Sequence, residues 1–267
     1  IRLINCRTDR SWVRDSLPIF VKIKKNKKIL SNWEFNAWAK YKNFKKDNKA
    51  YLKIRRATKI KVIKPKFKRK KIILEGGSID VNGTGLLLTT KQCLLSKIQE
   101  RNKGFKKKDY EIIFKKFFGI NKVIWLNKGI VGDDTHGHVD DVARFVGKNK
   151  IFVAKESNKK EKNFKNLSEN IKILKKYKKE NIKKLKIVPI PMPKPKKIKG
   201  IRVPASYLNF YIANKIVLVP VFKDPKDKIV LRIFKRHFKS RKIVPVDCSV
   251  LVWGFGTIHC LTQQEPI

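Results

Sequence analysis

The sequence predicts an α/β protein assembled from a repeated strand–helix–strand unit. Short β-like apolar runs alternate with longer segments of helical period, capping residues bound those segments, and the helix centres recur roughly 55 to 65 residues apart. In the first unit Leu86 to Thr89 reads as a strand. A helix starts near Asp109, places Tyr110, Ile113, Phe114, Phe117 and Phe118 on one face, and stops at Gly119. The strand Lys122 to Leu126 completes it. The second unit reads as the strand Ile151 to Ala154, a helix capped by Ser168 running to about Lys184, and the strand Lys186 to Ile190. In the third, Leu208 to Ile212 and Ile216 to Phe222 form a hairpin turning at Asn214. A helix capped by Asp224, with Pro225 in its first turn, follows, and the strand Lys242 to Val246 closes the unit.

At 267 residues the chain can bury one sizeable core or two modest ones. Met192 to Lys199, rich in proline and lysine, is the one strong connector, yet the motifs below run across it, so residues 1–267 read as one catalytic domain. The chain opens on Ile1 rather than Met, which reads as a fragment or a missing start that could hide a leader. The apolar run Ile216 to Phe222 is short and holds Pro220, so no membrane span is expected. The four cysteines, Cys6, Cys93, Cys248 and Cys260, show no CxxC pairing. A reduced, cytoplasmic setting follows.

The charge is extreme, with 67 Lys and Arg against 21 Asp and Glu. From Lys53 to Ile72 eleven of twenty residues are basic and none is acidic. Such a run can contact phosphates. The excess is spread over the whole chain with Lys, Asn and Ile, however, and no nucleic-acid module accompanies it, so compositional bias is the preferred explanation. The scarce acids say more: four of them fall between Asp133 and Asp141. Folded together they would form an anionic pocket able to hold a cation, because the long-range basic field is screened beyond about 8 Å at physiological salt.

Four short runs carry chemistry: Ser11-Trp-Val-Arg-Asp15, Leu74-Glu-Gly-Gly-Ser78, Gly132-Asp-Asp-Thr-His-Gly-His138-Val-Asp140-Asp, and Trp253-Gly-Phe-Gly-Thr-Ile-His-Cys260. A thiol, a histidine and several carboxylates are what nucleophilic attack on a cationic carbon requires. In an extended segment His138 and Asp140 would face the same way. The glycines after Glu75 and around Phe255 would let backbone approach a ligand closely.

Taken together, in this order, the four runs resemble the agmatine deiminase family, relatives of the bacterial peptidylarginine deiminases, from Asp9 to Pro266. The resemblance implies a pentein-type five-bladed α/β-propeller of ββαβ units, here without its N-terminal blade. It implies hydrolysis of agmatine to N-carbamoylputrescine and ammonia through an amidino-cysteine intermediate, a step in polyamine biosynthesis that needs no cofactor and no metal. By the same resemblance Cys260 is the nucleophile and His138 the general acid/base. Glu75 orients that histidine, and Asp15 and Asp140 bind the guanidinium. Trp12 either covers the cation through its ring face or belongs to the core, and Asp134 is the acidic partner for agmatine's distal amine. Asp15 beside Arg14 and Glu75 before its glycines also have plainer uses as ion-pair partner and turn cap. Cys6, Cys93 and Cys248 are assigned to structure. Leu17, His136, Phe255 and Thr257 depart from the family pattern in the pocket wall.

The expected partner is a small guanidinium molecule, with neither membrane nor nucleic acid, and a homo-oligomer remains open. Three alternatives stand beside agmatine deimination. One is arginine or peptidylarginine deimination by the same superfamily, and a second is a catalytically decayed basic protein that binds nucleic acid. The third is a metallo-β-lactamase-like zinc site on His136, His138 and Asp140, which Asp141 spoils by replacing that pattern's last histidine.

Overall fold

The computed structural model describes residues 2–24 and 27–266. Its framework is four three-stranded sheets of one pattern. In each, two antiparallel strands are followed by a helix and a third strand parallel to the second. A parallel neighbour requires a crossover, and here the helix supplies it.

Three of the four are the units legible in the sequence. Leu86–Thr90 pairs in parallel with Lys122–Leu126 around the helix Lys107–Phe118, and Asp80–Val81 lies antiparallel on its other side. Gly119 ends this helix in the left-handed conformation at φ 66°. Tyr110, Ile113 and Phe114 are its buried face. In the next unit Ala143–Gly147, Lys150–Lys155 and Lys186–Pro191 form the sheet. Its helix spans Asn163–Glu180, so Ser168 lies inside it and not at its start. The cap is Glu161, whose carboxylate accepts from the Asn163 amide at 2.9 Å. In the last unit Tyr211–Ile212, Ile216–Val221 and Lys242–Asp247 pair around the helix Asp227–His237. Asp224 and Pro225 sit in the turn before that helix, where Asp224 accepts from the Lys226 amide at 3.0 Å.

The fourth sheet precedes these and was not legible in the sequence. Ile19–Lys24 and Lys27–Ser31 are antiparallel, and the helix Tyr51–Thr58 leads to the two-residue strand Val62–Ile63. Its helix has only eight residues and buries none of them, and its third strand has two, so periodicity had little to report.

One apolar cluster of the later sheets, including Phe152, Phe210, Phe222 and Phe234, makes the larger core. A second gathers Leu74, Leu87, Tyr110, Phe114 and Trp125, and a third is Phe35, Ala37 and Trp38. The Met192 to Lys199 segment is no boundary. The Lys194 amide donates to Asp224 at 2.8 Å and Lys226 Nζ donates to the Met192 carbonyl at 2.7 Å, tying the sheet that ends at Lys186–Pro191 to the unit that begins at Tyr211–Ile212. No helix among the described residues is long and apolar enough to cross a membrane.

Candidate active site

Four loops bring the four motif runs to one point. Asp15 lies in the single helical turn Val13–Ser16, and Glu75 precedes the tight turn Gly76–Ser78. His138 and Asp140 flank and enter the turn Val139–Asp141, and Cys260 follows the turn at Leu251–Gly254. His138 and Asp140 therefore converge through a 3₁₀ turn, and the extended geometry read from their spacing is not what forms. Gly77 shows how close the packing is. A Cβ there would lie 2.5 Å from His138 Nδ1, 2.9 Å from Asp15 Oδ1 and 3.1 Å from Asp140 Oδ2. Only a hydrogen fits. The glycines make room for protein side chains: at Gly254 and Gly256 a Cβ would strike the Trp12 indole, 2.8 Å away in each case.

Asp15 is buried and accepts from Gly77 N at 3.0 Å and Trp38 Nε1 at 2.9 Å. Burial raises its pKa, against the attraction of His138. Glu75 is fully buried too, and burial alone would raise its carboxyl. Arg101, whose Nε donates to it at 2.9 Å, together with His138 overcomes that and holds it down to about 2. His138 lies 3.8 Å from Asp15 Oδ1 and 3.9 Å from Glu75 Oε2. Burial opposes its charge, but Asp15, then the Cys93 sulfur and Glu75, prevail and its pKa stands well above an ordinary histidine's. Asp133 orders the loop beneath it, accepting from the Gly137 and His138 amides at 2.7 and 3.0 Å.

Cys260 is buried, with Sγ 4.0 Å from Asp140 Oδ2 and receiving a hydrogen bond from Asn209 Nδ2 at 3.2 Å. Burial, then the Asp140, Asp141 and Asp15 carboxylates, push its thiol well above the usual range. Asp140 accepts from His259 Nδ1 at 2.7 Å, and burial raises its pKa to about 7 despite His138. Burial and the guanidinium groups of Arg14 and Arg144 keep His259 neutral, so it donates to Asp140 without pairing as an ion.

A pocket of about 160 Å³ opens onto Cys260 and Asp15, with Trp12, Trp38 and Phe255 in its walls and Arg10, Tyr41 and Asp134 toward its mouth. Trp12 thus packs on the glycines and lines the pocket. Asp134 is already engaged: Lys40 Nζ pairs with one oxygen and Tyr41 Oη donates to the other at 2.7 Å. His136 turns away to Ser96 Oγ at 3.0 Å, so the His136–His138–Asp140 set does not converge. The four-residue departures are absorbed locally, as where Thr257 Oγ1 donates to Asn209 Oδ1 at 2.8 Å.

Sequence reasoning passed over His259, Asn209, Trp38 and Arg101. His259 adjoins Cys260, and that adjacency was a usable signal. The other three lie in segments with no charge or glycine pattern to mark them. Cys93 and Cys248 are buried, whereas Cys6 is half-exposed.

The model of the Porphyromonas-type peptidyl-arginine deiminase family matches residues 1–266. An agmatine deiminase from C. jejuni, solved with substrate bound, is 30% identical with a TM-score of 0.86, aligned over 97% of this chain and 74% of its own. The Enterococcus faecalis agmatine deiminase is 30% identical with a TM-score of 0.89 over 98% and 76%. A more distant neighbour, an amidinotransferase from Microseira wollei at 13% identity and a TM-score of 0.57, shares the fold. With its motif runs gathered at one site and the family model matched along its length, the chain belongs to the Porphyromonas-type peptidyl-arginine deiminase family.

Proposed function

We propose that this protein is a hydrolase that converts agmatine and water to N-carbamoylputrescine and ammonia. The observation that carries the reading is the convergence of Asp15, His138 and Asp140 around Gly77, with the Cys260 sulfur 4.0 Å from Asp140. Two buried carboxylates that meet at Gly77, with Asp15 lining the pocket, suit a planar cation, which donates bidentate hydrogen bonds to such groups. The guanidinium of agmatine enters between Asp15 and Asp140. Its positive charge offsets the carboxylates that hold the Cys260 proton, so the thiol gives that proton to water and a thiolate forms where the substrate already lies.

Cys260 Sγ attacks the guanidinium carbon, forming the C–S bond. His138, kept charged by Asp15 and Glu75, gives its proton to one terminal nitrogen, and the C–N bond breaks to release ammonia. Neutral His138 then takes a proton from water, whose oxygen attacks the amidino carbon. The C–S bond breaks, and the departing sulfur takes the proton left on the new hydroxyl, which restores the thiol and leaves the urea of N-carbamoylputrescine. Every electron pair and proton in this route is held by the chain's residues, the substrate or water, with no cofactor called upon.

At the mouth, Asp134 is the group we assign to agmatine's distal ammonium, which must displace Lys40 to reach it. A second reading draws on the same rim. Lys40 and Arg10 are cations there, and they suit the carboxylate of an arginine or peptidylarginine substrate. Comparing kcat/KM for agmatine, arginine and a blocked arginyl peptide separates these. We take residues 1–267 as one catalytic domain acting in the cytoplasm. We take its four ββαβ units as blades of a pentein-type propeller of five, with the site at the axis; the shared antiparallel-then-parallel pattern supports this. Their exposed lysines we ascribe to composition, without a nucleic-acid partner.

The decisive experiment measures ammonia released from agmatine by the parent and by Cys260→Ala. Stoichiometric release by the parent and background release by the variant are expected, because the covalent route is gone. Equal rates in the two would overturn the mechanism, and preference for arginine would overturn the substrate.

A further inference from the structure

Beneath the catalytic histidine is a second thiol that the proposed reaction does not use. One Glu75 oxygen, the Cys93 sulfur and a His138 ring nitrogen all lie within 4.8 Å of one another, and all three residues are buried. Glu75 Oε2 and both ring nitrogens of His138 have no hydrogen-bond partner among the described residues. Buried polar atoms are ordinarily satisfied, so Glu75 Oε2 and the His138 Nε2 that faces it at 3.9 Å, with the Cys93 sulfur beside them, mark a place where something with electrophilic character can sit. We propose that Cys93, His138 and Glu75 form a binding site for a thiophilic divalent cation of the zinc type, and that filling it switches the enzyme off. This rests on the assignment of His138 as the acid/base group.

The donor chemistry fits. A thiolate, an imidazole and a carboxylate are the three ligand types zinc prefers, and three protein ligands leave its fourth position to water. With bonds of about 2.0–2.3 Å, tetrahedral ligands stand roughly 3.3–3.8 Å apart. His138 Nε2 and Glu75 Oε2 are already 3.9 Å apart, so side-chain shifts of under about an ångström close the set. Arg101 on the other carboxylate oxygen holds Glu75 ionised and aimed at the histidine, the role an outer partner plays in an established metal site. Cys93 itself is fixed at the start of the helix Lys91–Leu95, where its amide donates to Thr90 Oγ1 at 3.0 Å.

Binding would release the Cys93 thiol proton, and any proton on the ligating nitrogen, to solvent. A metal on the ring nitrogen that faces Glu75 would take the place of a proton there, so His138 could no longer become the cation that gives a proton to departing ammonia. Inhibition follows without any contact between the metal and Cys260.

The test uses zinc chloride as inhibitor and cobalt(II) as a spectroscopic probe. Titrating zinc into the parent should abolish agmatine turnover, and a chelator should restore it. Cys93→Ala should raise the inhibiting zinc concentration by no less than about tenfold, since even an outer partner's loss costs 10–100-fold in affinity. Independently of activity, cobalt(II) should give thiolate charge-transfer absorbance in Cys260→Ser and not in Cys93→Ser. Should Cys93→Ala fold poorly, the cobalt experiment with the isosteric Cys93→Ser still decides. Unchanged zinc inhibition in Cys93→Ala, or a cobalt signal that follows Cys260 instead of Cys93, would overturn the site. Because the cobalt signal needs no substrate, a protein inactive on agmatine that still shows it would count against the substrate and leave the cation site standing.

Discussion

Cys260 in the free protein is a protected thiol, a consequence first of its burial and then of three nearby carboxylates. Its proton should leave only above the ordinary cysteine value of 9.0, unless a cation enters the pocket. Alkylation by iodoacetamide, followed residue by residue with mass spectrometry, should be slow at neutral pH and accelerate when a non-reactive guanidinium compound is added. Rapid neutral-pH labelling of Cys260 in the empty protein would contradict this. At the pocket mouth, Asp134→Asn should raise KM for agmatine with little change in kcat. A charge-assisted contact is worth about 1.5–3 kcal/mol, but here the substrate ammonium replaces that of Lys40, so the net effect should fall at or below the lower figure. Lys40→Met should lower KM. Steady-state kinetics on both variants read this directly, and a parallel loss in kcat would make Asp134 a structural residue instead.

Among the elements, the turn Gly76–Ser78 and the left-handed turn at Ala37–Ala39 shape the site most. Ala37, Trp38 and Ala39 have φ of 52°, 59° and 53°. Each such residue costs roughly 1–2 kcal/mol, and the turn persists because neighbours hold it. Asn36 Oδ1 accepts from the Ala39 amide at 2.9 Å, and Phe35 meets Trp38 edge-on at 5.3 Å. What this arrangement delivers is the Trp38 N–H to Asp15. Trp38→Phe should keep the ring and remove that donor, leaving a buried carboxylate oxygen unpaired at a cost of roughly 1–3 kcal/mol. Weaker agmatine binding is expected, with a lower Tm by calorimetry; unchanged KM would mean that Asp15 does not grip the substrate. Gly77→Ala should be harsher, reducing turnover to background with far-UV circular dichroism intact, because a methyl group there overlaps His138 and Asp15.

At the scale of the molecule, a buried acidic cluster sits in a chain of formal charge +46, and both features act on stability. Asp140 holds its proton more tightly in the folded state, at about 7 against 3.8. Its contribution to stability is therefore complete below 3.8 and is lost as pH rises through 7. Glu75 runs the other way. Its folded value of about 2 lies below 4.5, so its contribution is present above 4.5 and is lost as pH falls through 2. Between about pH 4 and 8, the parent's Tm should fall relative to that of Asp140→Asn, as thermal melts across pH would show. A parallel pair of curves would place the proton elsewhere. The diffuse lysines repel one another at any of these pH values. Raising sodium chloride from roughly 0.05 to 0.5 M should raise Tm and weaken any nucleic-acid binding, while turnover changes little.

Much of this protein was determined by its sequence alone. Three strand–helix–strand units came from hydrophobic period and caps, since an apolar face at 3.6-residue spacing and a glycine stop are local properties. The chemistry was legible as well, because a thiol, a histidine and scarce carboxylates in ordered runs stand out in so basic a chain. The boundaries needed more: Glu161 caps the helix that Ser168 was expected to start, through a contact that no periodicity encodes. The first sheet was hidden by its two-residue third strand and a helix with no buried face. Only tertiary structure decided which groups touch. It drew His138 and Asp140 together through a turn in place of an extended segment, brought Trp38, Arg101, Asn209 and His259 around them, and paired Asp134 with Lys40. It also set the protonation of the site. Burial raises both carboxyls; Arg101 and His138 outweigh it at Glu75 and hold that group at about 2, whereas at Asp140 burial prevails and the value stands at about 7, and such distances exist only once the chain has folded.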